Sequence, residues 1–446
     1  MALAGEKQGG LATARSIVIH RHVLSALAAL SVAACGGGSG SNGGSVPVSD
    51  IPGDQANARV AITNTDMLLD ARIFEPNTAV PIASDTSANP AVQGIVSARV
   101  SALSLVLFAE LVPPIVEGEL VQATSISIDD NDRAVVSYNM AGPQTLGAVD
   151  YLTRLSRTLP RLSSSITFND SDVNAVTTDG SSAYAAVASS DAAFAAPAVL
   201  ERISLSRSKF ILNDIDRIAL SSFAGTSTMR TDSEIYVTSG NGGSLFAFSV
   251  SDLTLLGEFP LSDARWVAWD EDGGRVAVVQ GTPGRLSVFE QGEFPSGSMN
   301  LLNTFTFPGA DVPESKSTVE IAGGKAFIAA GPAGVQIVCL DDGQVVGAIP
   351  TPDAAALGLD PQDVVTNAVS VDDDLLFISN GGAGVYVAQA EEDFDETACN
   401  AQQQITVLGR LQFADVDSVN HVEYENNRLL VAAGRGGVKF VRISIN

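Results

Sequence analysis

The chain is poor in the groups on which most enzymes depend. Its 446 residues include three histidines, three cysteines and two tryptophans, and only 25 Lys and Arg stand against 51 Asp and Glu. A formal charge of −26 excludes a face built for nucleic acid or anionic headgroups, because both need clustered positive charge. The acidic residues are spread along the whole chain. That spread fits a solvated negative surface, cation association or salty surroundings better than a single acidic patch. Scarce histidine and cysteine leave no ligand cluster at zinc spacing. Sustained 3.6-residue periodicity is missing too, so long helices are not expected.

What is present begins with an address. Arg15, His20, Arg21 and His22 form a basic flank, and Val23 to Ala34 is a twelve-residue run, apolar apart from Ser25 and Ser31. A spanning helix needs about 20 residues, so this run is too short. The small residues of Val32-Ala33-Ala34-Cys35 resemble the lipobox of bacterial lipoproteins; the alternative is an ordinary signal peptide with a chance cysteine. The resemblance implies cleavage before Cys35, a diacylated and N-acylated cysteine, and stable anchoring by several chains. A Gly/Ser tether follows from Gly36 to Ser45 and continues to Asn57 with Pro47 and Pro52. The fourteen residues before Arg15 are long for a leader, which points to a downstream start codon. The expected division is residues 1–34 as signal peptide, 35–57 as lipidated cysteine and tether, and 58–446 as one domain. Losing Lys7, Arg15, Arg21 and Glu6 would shift the formal charge from −26 to about −28 and leave His421 as the single histidine. The implied location is the bacterial cell envelope, at the outer membrane, periplasmic or surface-exposed.

The second half repeats one phrase: a small strand, a Gly-rich turn, then an apolar strand. It reads YVTSGNGGSLFAF, AVVQGTPGRLSVF, FIAAGPAGVQIV, FISNGGAGVYVA and LVAAGRGGVKFV. The first glycines of the turns are Gly240, Gly281, Gly331, Gly381 and Gly434, at intervals of 41, 50, 50 and 53 residues. A period of about 40–50 residues with about four strands per unit is the mark of β-propeller blades. Hairpins such as SISIDDNDRAVVSYN, VNAVTTDGSSAYAAVA and WVAWDEDGGRVAVVQ carry alternating apolar residues around turns of Asp, Asn or Gly. They predict seven units beginning near Thr124, Asp172, Ile215, Asp263, Ser317, Val364 and Val416; six or eight blades stay open. The last unit ends after its third strand, so the ring needs a fourth from elsewhere. Residues 58–122 are the least regular part, with ARVAITN and LVLFAEL as possible strands and EPNTAVPIASDTSANP as loop. LVLFAEL, Leu105–Leu111, is the expected closing strand, which would remove exposed sheet edges.

AGGKAFIAAGPAGVQIV, DDDLLFISNGGAGVYVA and ENNRLLVAAGRGGVKFV resemble the LVIVD repeat of bacterial surface propellers. The likeness is good over residues 316–446, looser over 215–310 and poor before 215. YVTSGNGGSLFAFSV is similar to the YVTN-type repeat of related propellers. Both resemblances imply a fold and carry no activity.

The remaining candidates are few. Cys339 and Cys399 are expected to pair, since outside the cytoplasm a lone pair is more often bridged than free and neighbouring blades could bring them together. His421 lies in the first hairpin strand of the last unit, close to the channel, with no nucleophile assigned to it. Asn174, Asn367 and Asn420 recur near the start of inner strands, where they could offer amides to a ligand; capping turns or bonding neighbouring blades is the expected role. Arg435 and Asn380 sit in Gly-rich turns and would share that rim if the turns lie on the same face. Asp129, Asp130 and Asp132, Asp270, Glu271 and Asp272, and Asp372, Asp373 and Asp374 all fall at hairpin turns, which suits turn chemistry better than a metal cage. The run Glu391, Glu392, Asp393, Asp395, Glu396 could hold calcium loosely, though a solvated loop is the expected reading, and no tight metal or cofactor is expected. A phosphate loop is excluded because a strand, not a helix, follows every Gly-rich turn.

Together these features lead to the expectation of a lipid-anchored envelope propeller that binds or scaffolds a protein or glycan. The alternative is a propeller enzyme, lactonase-like or sugar-acting, using channel carboxylates and a divalent metal. A chaperone-like subunit of an envelope complex is a third reading.

Overall fold

The computed structural model describes residues 54–84, 90–310, 315–414, 416 and 418–445. The expected signal peptide, Cys35 and most of the tether lie outside the described residues. Among these residues, no helix is long and apolar enough to cross a membrane.

Seven antiparallel sheets of four or more strands follow one another along the chain. Their first strands are Gln122–Asp129, Ser171–Thr178, Ser227–Arg230, Ala264–Asp270, Val319–Ala322, Ala368–Asp372 and His421–Glu425, here blades 1 to 7. Each first strand packs against that of the next blade, and blade 7 packs against blade 1. The ring is a seven-bladed β-propeller.

Period-two alternation is what holds the ring together. In Leu429–Ala432 of blade 7, Leu429 and Val431 face an apolar cluster shared with blade 6, while Leu430 and Ala432 face one shared with blade 1. Both faces of a blade are therefore buried, and its central strands read as continuous apolar runs. Similar clusters fill the other five junctions, such as Val187 and Val199 against Val60 and Phe168 between blades 1 and 2. Each fully buried Val or Leu contributes about 1.5–3 kcal/mol.

The closing strand is the one expected, two residues longer. Leu103–Leu111 pairs antiparallel with Val438–Ile445, register Leu111 to Val438 and Leu103 to Ile445, as the fourth strand of blade 7. It is preceded by a helix of 13 residues, Pro90–Ala102, which no periodicity announced. The segment read as loop supplies short strands instead: Thr78–Ala79 pairs with the closing strand and Ile82–Ala83 extends blade 6. Val60–Thr63 extends blade 1 beyond its fourth strand, Arg161–Phe168. The irregular N-terminal part is thus a strap over blades 1, 6 and 7. It is pinned to blade 2 by Arg59, which pairs with Asp170 and with the fully buried Glu201.

One unit boundary is corrected. Ile215 does not open a third blade but lies in the outermost strand of blade 2, Lys209–Ala219, paired with Ala198–Ser206. That strand mixes apolar and exposed polar residues because one edge meets solvent, so it resembles an inner strand. The true first strand of blade 3, Ser-Thr-Met-Arg, is four residues long and carries no aliphatic pattern.

The Gly-rich turns join second to third strands and also stitch blades together. Gly240 N–H donates to Ala264 O of the next blade (3.1 Å), and Gly331 exchanges two bonds with Thr366. Val419 N–H donates to Gly381 O and Ala123 N–H to Gly434 O. At Gly331 and Gly434 the backbone is left-handed (φ 61° and 55°), which explains glycine there. Gly281 departs, its N–H bonding Asp263 O within its own blade.

Candidate functional site

The stitching places the Gly-rich turns and the starts of the inner strands on one face, at one mouth of the central channel. The residues expected to share a rim do so, but their amides are already engaged. Asn174 Nδ2 donates to Gly225 O of blade 3 (2.8 Å), Asn367 Nδ2 to Val419 O of blade 7 (3.4 Å) and Asn420 Nδ2 to Ala123 O of blade 1 (2.8 Å). Asn380 Oδ1 accepts from Thr366 Oγ1 at 2.6 Å. The first three side chains clamp one blade to the next, and the Asn380 bond lies within blade 6. Arg435 is exposed in the turn that bonds Ala123, beside Asn420.

His421 is buried, 4 % exposed, and its Nδ1 has no hydrogen-bond partner. Its ring lies against Trp266 of blade 4, centroids 5.3 Å apart and planes at 30°. Burial, together with the Lys316 charge, lowers its pKa to about 3, so the imidazole is neutral. Among the described residues no hydroxyl or thiol is held against it as a nucleophile would be.

Lys316, in the approach to blade 5, was not singled out by its sequence. Its ammonium donates to Thr124 O of blade 1 (2.5 Å) and Asn174 O of blade 2 (3.4 Å), reaching across the channel. Desolvation lowers its pKa to about 7. Lys316 and Trp266 line a cavity of about 360 Å³ at the mouth, with Phe223, Asn174, Asp263 and Arg265. Phe223 is 58 % exposed at its lip. Arg265 is fixed by two hydrogen bonds to Asp263 (2.9 and 3.1 Å).

Deeper in the channel the charge reverses. Glu320 of blade 5 accepts from Val371 N–H of blade 6 at 2.7 Å, and Ser370 Oγ accepts from Tyr424 N–H of blade 7 at 2.9 Å. Glu423 accepts from Ile128 N–H of blade 1. Equivalent positions thus satisfy the edge N–H groups that first strands leave unpaired. Burial raises the Glu320 pKa to about 8 and that of Glu423 well above the carboxylate range; the two repel each other. Burial, with Asp130, Asp129 and Asp372 nearby, raises Glu425 to about 7. The signal was in the sequence as a repeated Val-Glu, in VEIA and VEYE, at one blade position.

Cys339 and Cys399 are joined by a disulfide, Cα atoms 5.2 Å apart, linking blade 5 to the acidic excursion after the third strand of blade 6. The excursion is held from beneath by the fully buried Lys325, whose ammonium donates to Gly323, Phe394 and Thr397 carbonyls. Of its acids, Glu391, Glu392, Asp395 and Glu396 are exposed. Among the described residues, the only grouping of three potential metal ligands is Cys339, Asp341 and Cys399, and its two sulfurs are bonded to each other. A larger groove of about 540 Å³ lies outside blade 1, where Phe74, Val112 and Ile115 are exposed. Two of the cations lining that groove are paired, Arg72 with Asp150 and Arg59 with Asp170.

No protein-family model matches the chain, and no curated protein does. Solved structures of similar shape include the computationally designed Ika8 protein (TM-score 0.44, 10 % identity, 82 % of this chain and 97 % of that one). Another is the WD40 β-propeller domain of Doa1 (TM-score 0.47, 8 % identity, 72 % and 93 %).

Proposed function

We propose that this chain is a lipid-anchored β-propeller of the bacterial cell envelope, tethered through Cys35, that binds a protein or ligand at the mouth on the Gly-turn face. The observation that carries the reading is that mouth: a cavity of about 360 Å³ with exposed Phe223 at its lip. Ligand sites are concave, mostly apolar and fitted with few polar groups. The lipobox-like VAAC and the Gly/Ser tether support the anchor.

Metabolic labelling with a fatty acid tests the anchor; label and membrane fractionation should both vanish in Cys35→Ser. Envelope cross-linking tests the mouth, since a cross-linked species lost in Phe223→Asp with Arg435→Glu but kept in an outer-groove variant, Ile115→Asp, locates binding there. A second reading, a propeller enzyme acting through channel carboxylates, is favoured by the convergence of Glu320 and Glu423. Turnover of a defined substrate by purified protein, abolished in Glu423→Gln, would put the enzyme in place of the binding module.

A further inference from the structure

The mouth cavity holds a charge that none of its described residues neutralises. Among the described residues no carboxylate forms an ion pair with Lys316, whereas Arg265 beside it is bound by Asp263. An ammonium has three donors, and Lys316 directs two to backbone carbonyls, leaving one donor at the cavity wall. The lining supplies two aromatic rings, Trp266 and Phe223, beside the paired Asp263 and Arg265 and several small residues. An ammonium with no carboxylate partner among the described residues, on the wall of an open cavity, calls for an anionic ligand.

We propose that the mouth binds a small organic monoanion, a carboxylate on a flat apolar body, with the carboxylate on Lys316 and the body against Trp266 and Phe223. Charge decides the class. One ammonium without a carboxylate partner among the described residues matches one negative charge, since Asp263 and Arg265 on the same wall neutralise each other. An acidic protein also keeps anions from its general surface, so a single buried cation discriminates strongly by position. The inference rests on the mouth being the binding face and narrows what it takes.

The sign of the pH effect follows. Binding requires the protonated amine, so affinity falls as pH rises through the Lys316 value of about 7. The other titratable or charged groups are Asp263 and Arg265 on the cavity wall, His421 of blade 7, which feels the Lys316 charge, Asp172 two residues before Asn174 in blade 2, and, a level deeper, Glu320 and Glu423. Asp172 itself titrates near 6, raised by burial, so the slope must be read against a variant lacking the amine.

The test is calorimetric titration of the full chain with phenylacetate, phenylacetamide (the same shape uncharged) and phenethylamine (the opposite charge). Phenylacetate should saturate below about 10 mM and bind at least about tenfold tighter than either comparator. Its affinity should fall about tenfold from pH 6 to pH 8 in the wild type. Lys316→Met should bind phenylacetate no better than phenylacetamide and lose the slope. Equal binding of phenylacetate and phenylacetamide by wild-type protein, or no saturable phenylacetate binding, overturns the proposal without recourse to a variant. If the envelope cross-link still depends on Phe223 and Arg435 in that case, the anion site falls and the binding module stands.

Discussion

The two ends of the channel solve the same problem with opposite charges. First strands leave their inner edges unpaired, and each end must satisfy those backbone groups with side chains from neighbouring blades. At the mouth, the carbonyls of Thr124 and Asn174 take an ammonium, and those of Gly225, Val419 and Ala123 take amides. Deeper down, the N–H groups of Val371 and Ile128 take the carboxylates of Glu320 and Glu423. Donors need acceptors and carbonyls need donors, so charge separates along the axis although the chain as a whole is strongly acidic. Among the described residues the deeper carboxylates bond N–H groups of the next blade, whereas the mouth keeps a cation with no carboxylate partner and a cavity. That difference is why binding is assigned to the mouth.

The comparison can be broken first at the deeper end. A carboxyl whose folded pKa is raised holds its proton more tightly when folded, so stability is fully present below the unfolded value and is lost as pH rises through the folded one. Wild-type stability should therefore fall between about pH 5 and 8, and the Glu320→Gln, Glu423→Gln double variant, which keeps both acceptors, should be about 2–4 kcal/mol more stable at pH 9 by urea unfolding. Equal stability at pH 9 would mean that the carboxylates are solvated.

At the mouth the slope has the opposite sign. His421 is held neutral with a folded pKa of about 3, so the unfolded chain takes up its proton first and stability falls with acid between about 6.5 and 3. His421→Phe, which keeps a ring against Trp266, should be about 1–3 kcal/mol more stable than wild type at pH 4 and near-equal at pH 8. Thermal melts at both values would check it.

Two smaller effects separate clamp from contact. Asn420→Ala should cost about 1 kcal/mol of stability by removing the bond from blade 7 to Ala123. Arg435→Ala should leave stability within about 0.5 kcal/mol, because the side chain is exposed, while weakening the envelope cross-link. The reverse pattern would exchange their roles.

Much of the ring was legible because each blade repeats its own instructions. Val431 and Leu430 alternate between two neighbours, and the same alternation recurs in every central strand. Closure by Leu105–Leu111 followed from simple counting, as the last unit lacked a strand. Blade 3 misled because its first strand is short and the edge strand before it is amphipathic. The amides of Asn174, Asn367 and Asn420 bond backbone carbonyls of the next blade, the role expected of asparagine at the start of an inner strand. Lys316 was invisible: no repeat marks it, and its partners come from residues about 190 and 140 positions away.

The sequence by itself determined the period, the strand that closes the ring and the cysteines available to bridge, and it favoured seven blades over six or eight. Those are properties of local pattern, and stacking identical units requires only that each present two apolar faces. Tertiary structure alone decided which charges meet on the axis. Ring closure brings together residues far apart in the chain, and burial then shifts their protonation by amounts that depend on neighbours, not on residue type. The cation at the mouth and the acids below it exist as a pair of ends only once the seventh blade has met the first.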